Sequence, residues 1–350
     1  METNNIKDFY KRKVKRNLII LSTLFILCII VSIVSLSIGA SNTNLLDVFR
    51  LIGNAFGAHF NVSALSRVVI EQLRLPRICM GILVGLALSN SGLLMQAIFQ
   101  NPLVSPYTLG ISSGAAFGAA LSIVLGEQFG VLGQYALPIN AFVFSIITIV
   151  IVYLVSKTTK SAGKNIVLIG VAVGYLFSAL LSFLQYTGTS KQLPEIIFWI
   201  MGSLDNIGWT PVIILLVVNI VSLIIMFIYA WDLNIVSYGR DTAVSFGVNY
   251  DKIRIISIIL ATLLTGTCVA FTGIIGFVGL IAPQMARIII GSDYRFLIPG
   301  ASLTGALLVV LSDTIARNLM SPVELPIGII TSFVGVPFFL YLIIRKKSSN

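Results

Sequence analysis

Twenty-one consecutive residues, Leu18 to Ile38, carry no charge. At about 1.5 Å per residue, a helix of that length crosses the ~30 Å hydrocarbon layer of a bilayer. Nine further apolar runs follow, over roughly 76–98, 104–125, 134–156, 165–187, 211–230, 253–273, 276–291, 297–317 and 325–344. In hydrocarbon, only helices and closed barrels satisfy their own backbone hydrogen bonds. These runs are long and non-alternating, so they predict helices. Composition agrees, with 57% hydrophobic and 10% charged residues, against about 25% charged in soluble domains. The expected class is an all-α polytopic membrane protein with ten transmembrane helices. The expected organisation is a cytoplasmic tail over 1–17, a membrane domain over 18–344 containing a cytoplasmic connector at 231–254, and a short tail over 345–350.

The first run is longer than the apolar core of a signal peptide, about 7–15 residues, so it reads as a retained first helix. Its flank, with Lys7, Lys11, Arg12, Lys13, Lys15 and Arg16, sets an orientation. With the N-terminus cytoplasmic, the inner segments hold 17 of the 23 Lys and Arg, and the outer segments hold Arg50, Arg67, Arg74, Arg77, Lys191 and Arg317. The positive-inside rule favours that arrangement and an even helix count, which also puts Arg345, Lys346 and Lys347 inside. The net charge of +10 is therefore membrane-flanking charge, not a nucleic-acid footprint.

Small residues repeat every four at Gly81, Gly85 and Ser89, at Gly110, Gly114 and Gly118, and at Gly170, Gly174 and Ser178. Such stripes let helices approach closely in lipid, so they predict tight packing. An offset of 181 superposes Gly85, Gly92, Pro102 and Gly110 on Gly266, Gly273, Pro283 and Gly291. Five helices precede the repeat, so its second copy would run in the opposite sense, as an inverted-topology repeat with a proline break in each half.

The sequence has no HExxH and no phosphate loop, since Gly163-Lys164 is followed by Asn165. His59 lies in an outer loop, and Cys28, Cys79 and Cys268 are scattered in apolar runs without metal or redox spacing. The main intramembrane acid is Asp313, four residues before Arg317 on one helix face. Proton- or sodium-driven carriers usually carry buried ionisable groups, so the energy for any transport is expected to come from a partner.

The inner loop WDLNIVSYGRDTAVSFGVNYDKIR, Trp231 to Arg254, holds a candidate short helix over Asp241 to Phe246 between Gly239 and Gly247. Asp241 suits a helix start and Gly247 a helix end. The pattern fits either a docking element or an ordinary interfacial linker.

Four stretches carry a family resemblance: LRLPRICMGILVGLALSNSGLLMQAIFQNPLVSPYTLGISSGAAFG, FWIMGSL, TGIIGFVGLIAPQMARIIIGSDYRFLIPGASL and LSDTIARNLMSPVELPIGIITSFVGVPFF. Spread from residue 73 to 339, they resemble the permease subunits of type II ATP-binding-cassette importers, which take up iron–siderophore, haem or cobalamin. The resemblance implies a ten-helix fold with inverted-repeat halves in a bacterial cell membrane. It also implies a homo- or heterodimer served by two cytoplasmic ATPases and an extracytoplasmic binding protein. ATP and magnesium would be held by the ATPases, leaving this chain no catalytic residue, metal or cofactor of its own.

In the family, arginines at the places of Arg74, Arg77 and Arg317 face acidic residues on the binding protein, which suits arginine's planar fork. The alternative is snorkelling to lipid headgroups. The connector resembles the coupling helices that seat in the ATPase, through Gly239, Ala243 and Gly247. It departs at Arg240, where relatives often have Glu, and at Phe246, where they often have Leu, so the carry-over to Arg240 and Asp241 is one of place. Gln284 stands where relatives often have His. Ala162, Gly163 and Lys164 match the place of a cytoplasmic gate, and the pathway is expected between two subunits, along the fifth and tenth helices. The leading function is import of an iron–siderophore complex; haem or cobalamin import and, in another class, a secondary carrier are the alternatives.

Overall fold

The computed structural model describes all residues except 1, 40–43, 56, 127–132, 159–163, 322 and 348–350. Among the described residues every regular element is helical. The α-helices are α1 (Glu2–Ser37), α2 (Leu45–Ala55), α3 (Ala64–Val68), α4 (Leu75–Phe99), α5 (Ile111–Leu125), α6 (Gly133–Thr158), α7 (Lys164–Thr187) and α8 (Gln192–Met201). They continue with α9 (Trp209–Ile228), α10 (Ala230–Val236), α11 (Arg240–Ser245), α12 (Tyr250–Thr272), α13 (Val278–Ile290), α14 (Tyr294–Leu319) and α15 (Ile327–Lys347). A π-helical turn, Val69–Arg74, joins α3 to α4, and a 3-10 turn, Pro106–Leu109, precedes α5.

Each of the ten apolar runs holds a helix. Seven helical spans among the described residues are long and apolar enough to cross a membrane: α1, the continuous stretch of α3 and α4, α6, α7, α9, α12 and α14. The apolar parts of α5, α8, α13 and α15 are shorter. Helix α8 was not among the expected runs, since its ten residues fall below spanning length. Helix α1 passes without a break through the expected boundary at residue 17, so the basic segment continues the first span as helix.

Burial ranks the helices. The most apolar windows of α4, α12 and α14 are 83%, 72% and 72% buried, whereas those of α1, α6, α7 and α9 are 11–28% buried. Helix α4 is the centre, packed against α14, α12, α13 and α9. The small-residue stripes explain how closely it is approached. A Cβ on Gly85 would overlap the backbone of Gly305 in α14, and one on Gly92 would overlap Gly279 in α13. The same holds for Gly114 and Gly118 against α6, and for Gly170 of α7 against the 3-10 turn. Interhelical hydrogen bonds reinforce these contacts, from Asn90 Nδ2 to Ser302 Oγ at 2.8 Å and from Gln284 Nε2 to Gln96 Oε1 at 2.7 Å.

Helix packing carries a two-fold pattern: α5 lies against α6, α12 and α7, as α13 lies against α14, α4 and α15. The ungapped offset does not survive at residue level. Pro102 falls between helices, whereas Pro283 lies inside an unbroken α13, so the two prolines do not occupy matching positions. The α12–α13 connection is also shorter than the α4–α5 connection, which holds the 3-10 turn.

Candidate functional site: an arginine cleft and a connector joined by two helices

The three arginines gather at one end of the bundle, and two of them flank a local backbone irregularity. Pro76 has no N–H, and its ring would press on the carbonyl four residues back in a regular helix. The chain relieves this by widening to a π turn, in which Leu75 N–H donates to Ile70 O. Arg74 ends that turn and Arg77 follows Pro76, both on the inward face and both under 10% exposed.

Arg77 is held by three carboxylates. Its Nε and Nη2 donate to Asp313 Oδ1 at 3.0 and 2.9 Å, and its Nη1 donates to Glu324 Oε2 at 2.7 Å. The same Nη1 lies 3.6 Å from Asp205 Oδ1. The expected pair of Asp313 with Arg317 is present, Nε to Oδ2 at 3.0 Å, so the two oxygens of Asp313 serve two guanidiniums. Arg317 also donates to Ser35 Oγ at 2.7 Å and Ile38 O at 3.3 Å, and Arg74 donates to Leu36 O at 2.7 Å. These carbonyls belong to the end of α1, where a helix leaves its last acceptors without intrahelical partners and favours cations.

Together with Asp205, Asn206 and Glu324, the three arginines line a cleft of about 420 Å³. Sequence reasoning named the arginines and Asp313 but missed Ser35, Asp205 and Glu324. The available signal was positional: Ser35 and Glu324 fall at the same ends of predicted helices as the arginines, and Asp205 in the loop ahead of the sixth.

At the opposite end of α4 and α14 stands the connector. Gly239 and Gly247 take φ of +118° and +74°, the left-handed region that bulky residues avoid. Between them α11 occupies Arg240–Ser245, one residue earlier than the candidate helix. Ala243 faces inward and is fully buried, its N–H donating to Gly239 O at 3.0 Å and its carbonyl accepting from Val248 N–H at 2.8 Å. Asp241 lies in the exposed first turn, and Arg240 pairs with Asp251 at 3.0 Å across the surface. Tyr238, Val244 and Phe246 are exposed beside them.

The connector is fastened to the bundle. Asn234 Oδ1 accepts from Tyr294 N–H at 3.0 Å, and its Nδ2 donates to Asp293 Oδ1 at 3.3 Å. The Arg295 guanidinium lies 4.2 Å from the centre of the Trp231 ring. Tyr250 Oη donates to Ile98 O at 2.8 Å. Burial pushes the Asp293 carboxyl up, but hydrogen bonds from Arg295 and Asn234 outweigh it and hold that carboxyl below its ordinary value.

Helix α14 therefore touches the connector at Tyr294 and the arginine cleft at Asp313 and Arg317. Helix α4 does the same through Ile98 and Arg77. A second, apolar cleft of about 670 Å³ lies between α8, the 274–276 segment and α15, lined by Met201, Ile274, Phe333 and Val336 among others. Of the expected gate, Ala162 and Gly163 lie outside the described residues, as does the Lys164 side chain. No cluster of metal-ligating residues is present among the described residues.

A multi-pass helical bundle with a buried centre and an ordered connector defines the class, a membrane permease of the ABC transporter kind. Residues 26–345 match the FecCD transport family, and the chain belongs to it. It is 40% identical over 347 residues to the ABC transporter permease protein MJ0087 of Methanocaldococcus jannaschii, covering 97% of each chain. It is 34% identical to the hemin transport system permease protein HmuU of Yersinia pestis, covering 92% of this chain and 96% of that one. The fold matches an inward-facing metal-chelate type ABC transporter with a TM-score of 0.81 at 35% identity, covering 93% of this chain and 99% of the other. Further relatives bear the names of molybdate, Fe(3+)-citrate and cobalamin import permeases. By name, these relatives are transport permeases.

Proposed function

We propose that this chain is one of two permease subunits of an ATP-driven importer that moves an iron–siderophore complex inward across a bacterial cell membrane. Haem or cobalamin is the alternative cargo. Ten helices cross the membrane in two inverted halves, with both termini cytoplasmic. An extracytoplasmic binding protein docks at the cleft of Arg74, Arg77 and Arg317. Two ATPase subunits, which hold ATP and magnesium, seat on Gly239, Arg240, Asp241, Ala243 and Gly247. Ala162, Gly163 and Lys164 form the cytoplasmic gate, and membrane lipid surrounds the rest.

One observation carries this reading: α4 and α14 each reach from the connector to the arginine cleft. They pack glycine against glycine at Gly85 and Gly305. A helix of 26 residues is about 39 Å long, so the pair is a rod joining two docking ends on opposite sides of a bilayer. Closely packed helices shift between discrete arrangements rather than deform smoothly. ATP-driven movement at the connector would then reach the cleft, and docking at the cleft would reach the ATPase.

The test is uptake in cells with and without this chain, offering ferric siderophores, ferric citrate, haem, cobalamin and molybdate separately. Loss of a ferric siderophore alone supports the leading cargo, and loss of another compound replaces it. Uptake that survives loss of the ATPase and collapses with the proton or sodium gradient would favour a secondary carrier.

A further inference from the structure

Arg77 is bound to carboxylates of two kinds. Asp313 is shared with Arg317, and its side chain is 3% exposed. Glu324 and Asp205 hold the same guanidinium, but their side chains are 40% and 55% exposed. Removing a carboxylate from a buried pair strands a charge, whereas an exposed pair exchanges with water at little cost. Asp313 is therefore a fixed partner, and the other two are replaceable.

The charges at the cleft also balance, with three arginines against Asp205, Asp313 and Glu324. An acidic partner approaching this surface meets Glu324 and Asp205 at the rim, and like charges in contact oppose docking. Both residues sit on loops leading into helices. Asp205 lies in the 202–208 loop between α8 and α9, and Glu324 lies in the loop ahead of α15. The two loops run together, with Ile327 N–H donating to Gly202 O at 3.1 Å. Behind them, α8 and α15 frame the apolar cleft of about 670 Å³.

We propose that Glu324 and Asp205 are in-chain stand-ins for a docking partner's carboxylates at Arg77, so that docking displaces them and releases the loops leading into α9 and α15. This rests on the importer reading above and adds its control. Until a partner arrives, Arg77 Nη1 ties both loops to α4, beside the backbone hydrogen bond that joins the loops to each other. When a partner's carboxylate takes that nitrogen, Arg77 keeps Asp313, and the two loops lose their charged tie to α4. Docking and opening of the apolar cleft thereby become one exchange of carboxylates.

The test uses the full chain with the solute-binding protein that restores uptake in the assay above. Glu324→Gln and Asp205→Asn, separately and combined, preserve side-chain shape and lie at exposed positions. The combined variant is expected to bind that protein about three- to thirty-fold more tightly at low salt, from two exposed pairs that no longer compete. Nitroxide labels at Phe198→Cys and Phe333→Cys, in a chain with Cys28, Cys79 and Cys268 replaced by Ala, read the separation of α8 and α15. In the undocked combined variant, that distance distribution is expected to move toward the one seen for the docked parent. Weaker or unchanged docking overturns the proposal, as does a label distance insensitive to both docking and substitution. A parent chain that docks no binding protein overturns the importer reading together with the competitor role. Docking that ignores both substitutions overturns the competitor role alone.

Discussion

Replacing Asp313 by Asn tests whether the buried cluster is held as described. Asp313 is 2% exposed and accepts from Arg77 at 2.9 and 3.0 Å while pairing with Arg317 at 3.0 Å. Asn keeps the shape but leaves two buried guanidiniums around one neutral amide. Breaking a buried pair by removing one partner costs about 3–5 kcal/mol. Arg77 keeps Glu324, and Arg317 keeps Ser35 and Ile38, which places the expected loss near the low end, about 3 kcal/mol. Glu324→Gln removes a contact of similar length from the same arginine, yet its side chain is 40% exposed, so its loss is expected below about 1 kcal/mol. The assay is the unfolding of purified chain in mixed micelles against denaturant, with Arg317→Met added to close a double-mutant cycle. Coupling of about 0.5–3 kcal/mol between Asp313 and Arg317 is expected. Equal, small losses for Asp313→Asn and Glu324→Gln would refute the argument that burial separates the two partners.

Three further outcomes follow from packing and the connector. Gly85→Leu should abolish accumulation of folded chain, because even a Cβ there overlaps the Gly305 backbone, whereas Gly208→Ala, with open space around it, should stay within about 0.5 kcal/mol of the parent; size-exclusion profiles after expression distinguish them. Ala243→Pro should uncouple ATP hydrolysis from uptake by removing the hydrogen bond to Gly239 O; coupled hydrolysis and uptake in proteoliposomes check it. Trp231→Ala should cost only about 0.5–1 kcal/mol, since the ring under Arg295 is 61% exposed, as read by the same denaturant assay.

Much of the architecture is written along the chain, since hydrocarbon leaves the backbone few choices. Uncharged runs such as Leu18–Ile38 form helices because no other open structure satisfies their backbone there. The glycine stripes announced close helix contacts before the contacting helix was known, because a missing Cβ is a local property. Gly239 and Gly247 likewise bracketed the short helix of the connector, since both turns require positive φ. Family membership was legible for the same reason: long runs of ordered residues carry it without reference to contacts.

The tertiary structure decided what meets across distance. The (i, i+4) spacing of Asp313 and Arg317 was visible in one helix, but Arg77 lies 236 residues from Asp313 and 247 from Glu324, and no periodicity links them. The π turn ahead of Pro76, the capping of α1 by Arg74 and Arg317, and the run of α4 and α14 from connector to cleft are of the same kind. So is the failure of the ungapped repeat, where helix packing keeps a two-fold pattern that the residue offset does not. Sequence periodicity reports each helix's own faces and lengths. Which faces become partners is set by packing the whole bundle at once, and there the arginines found their carboxylates.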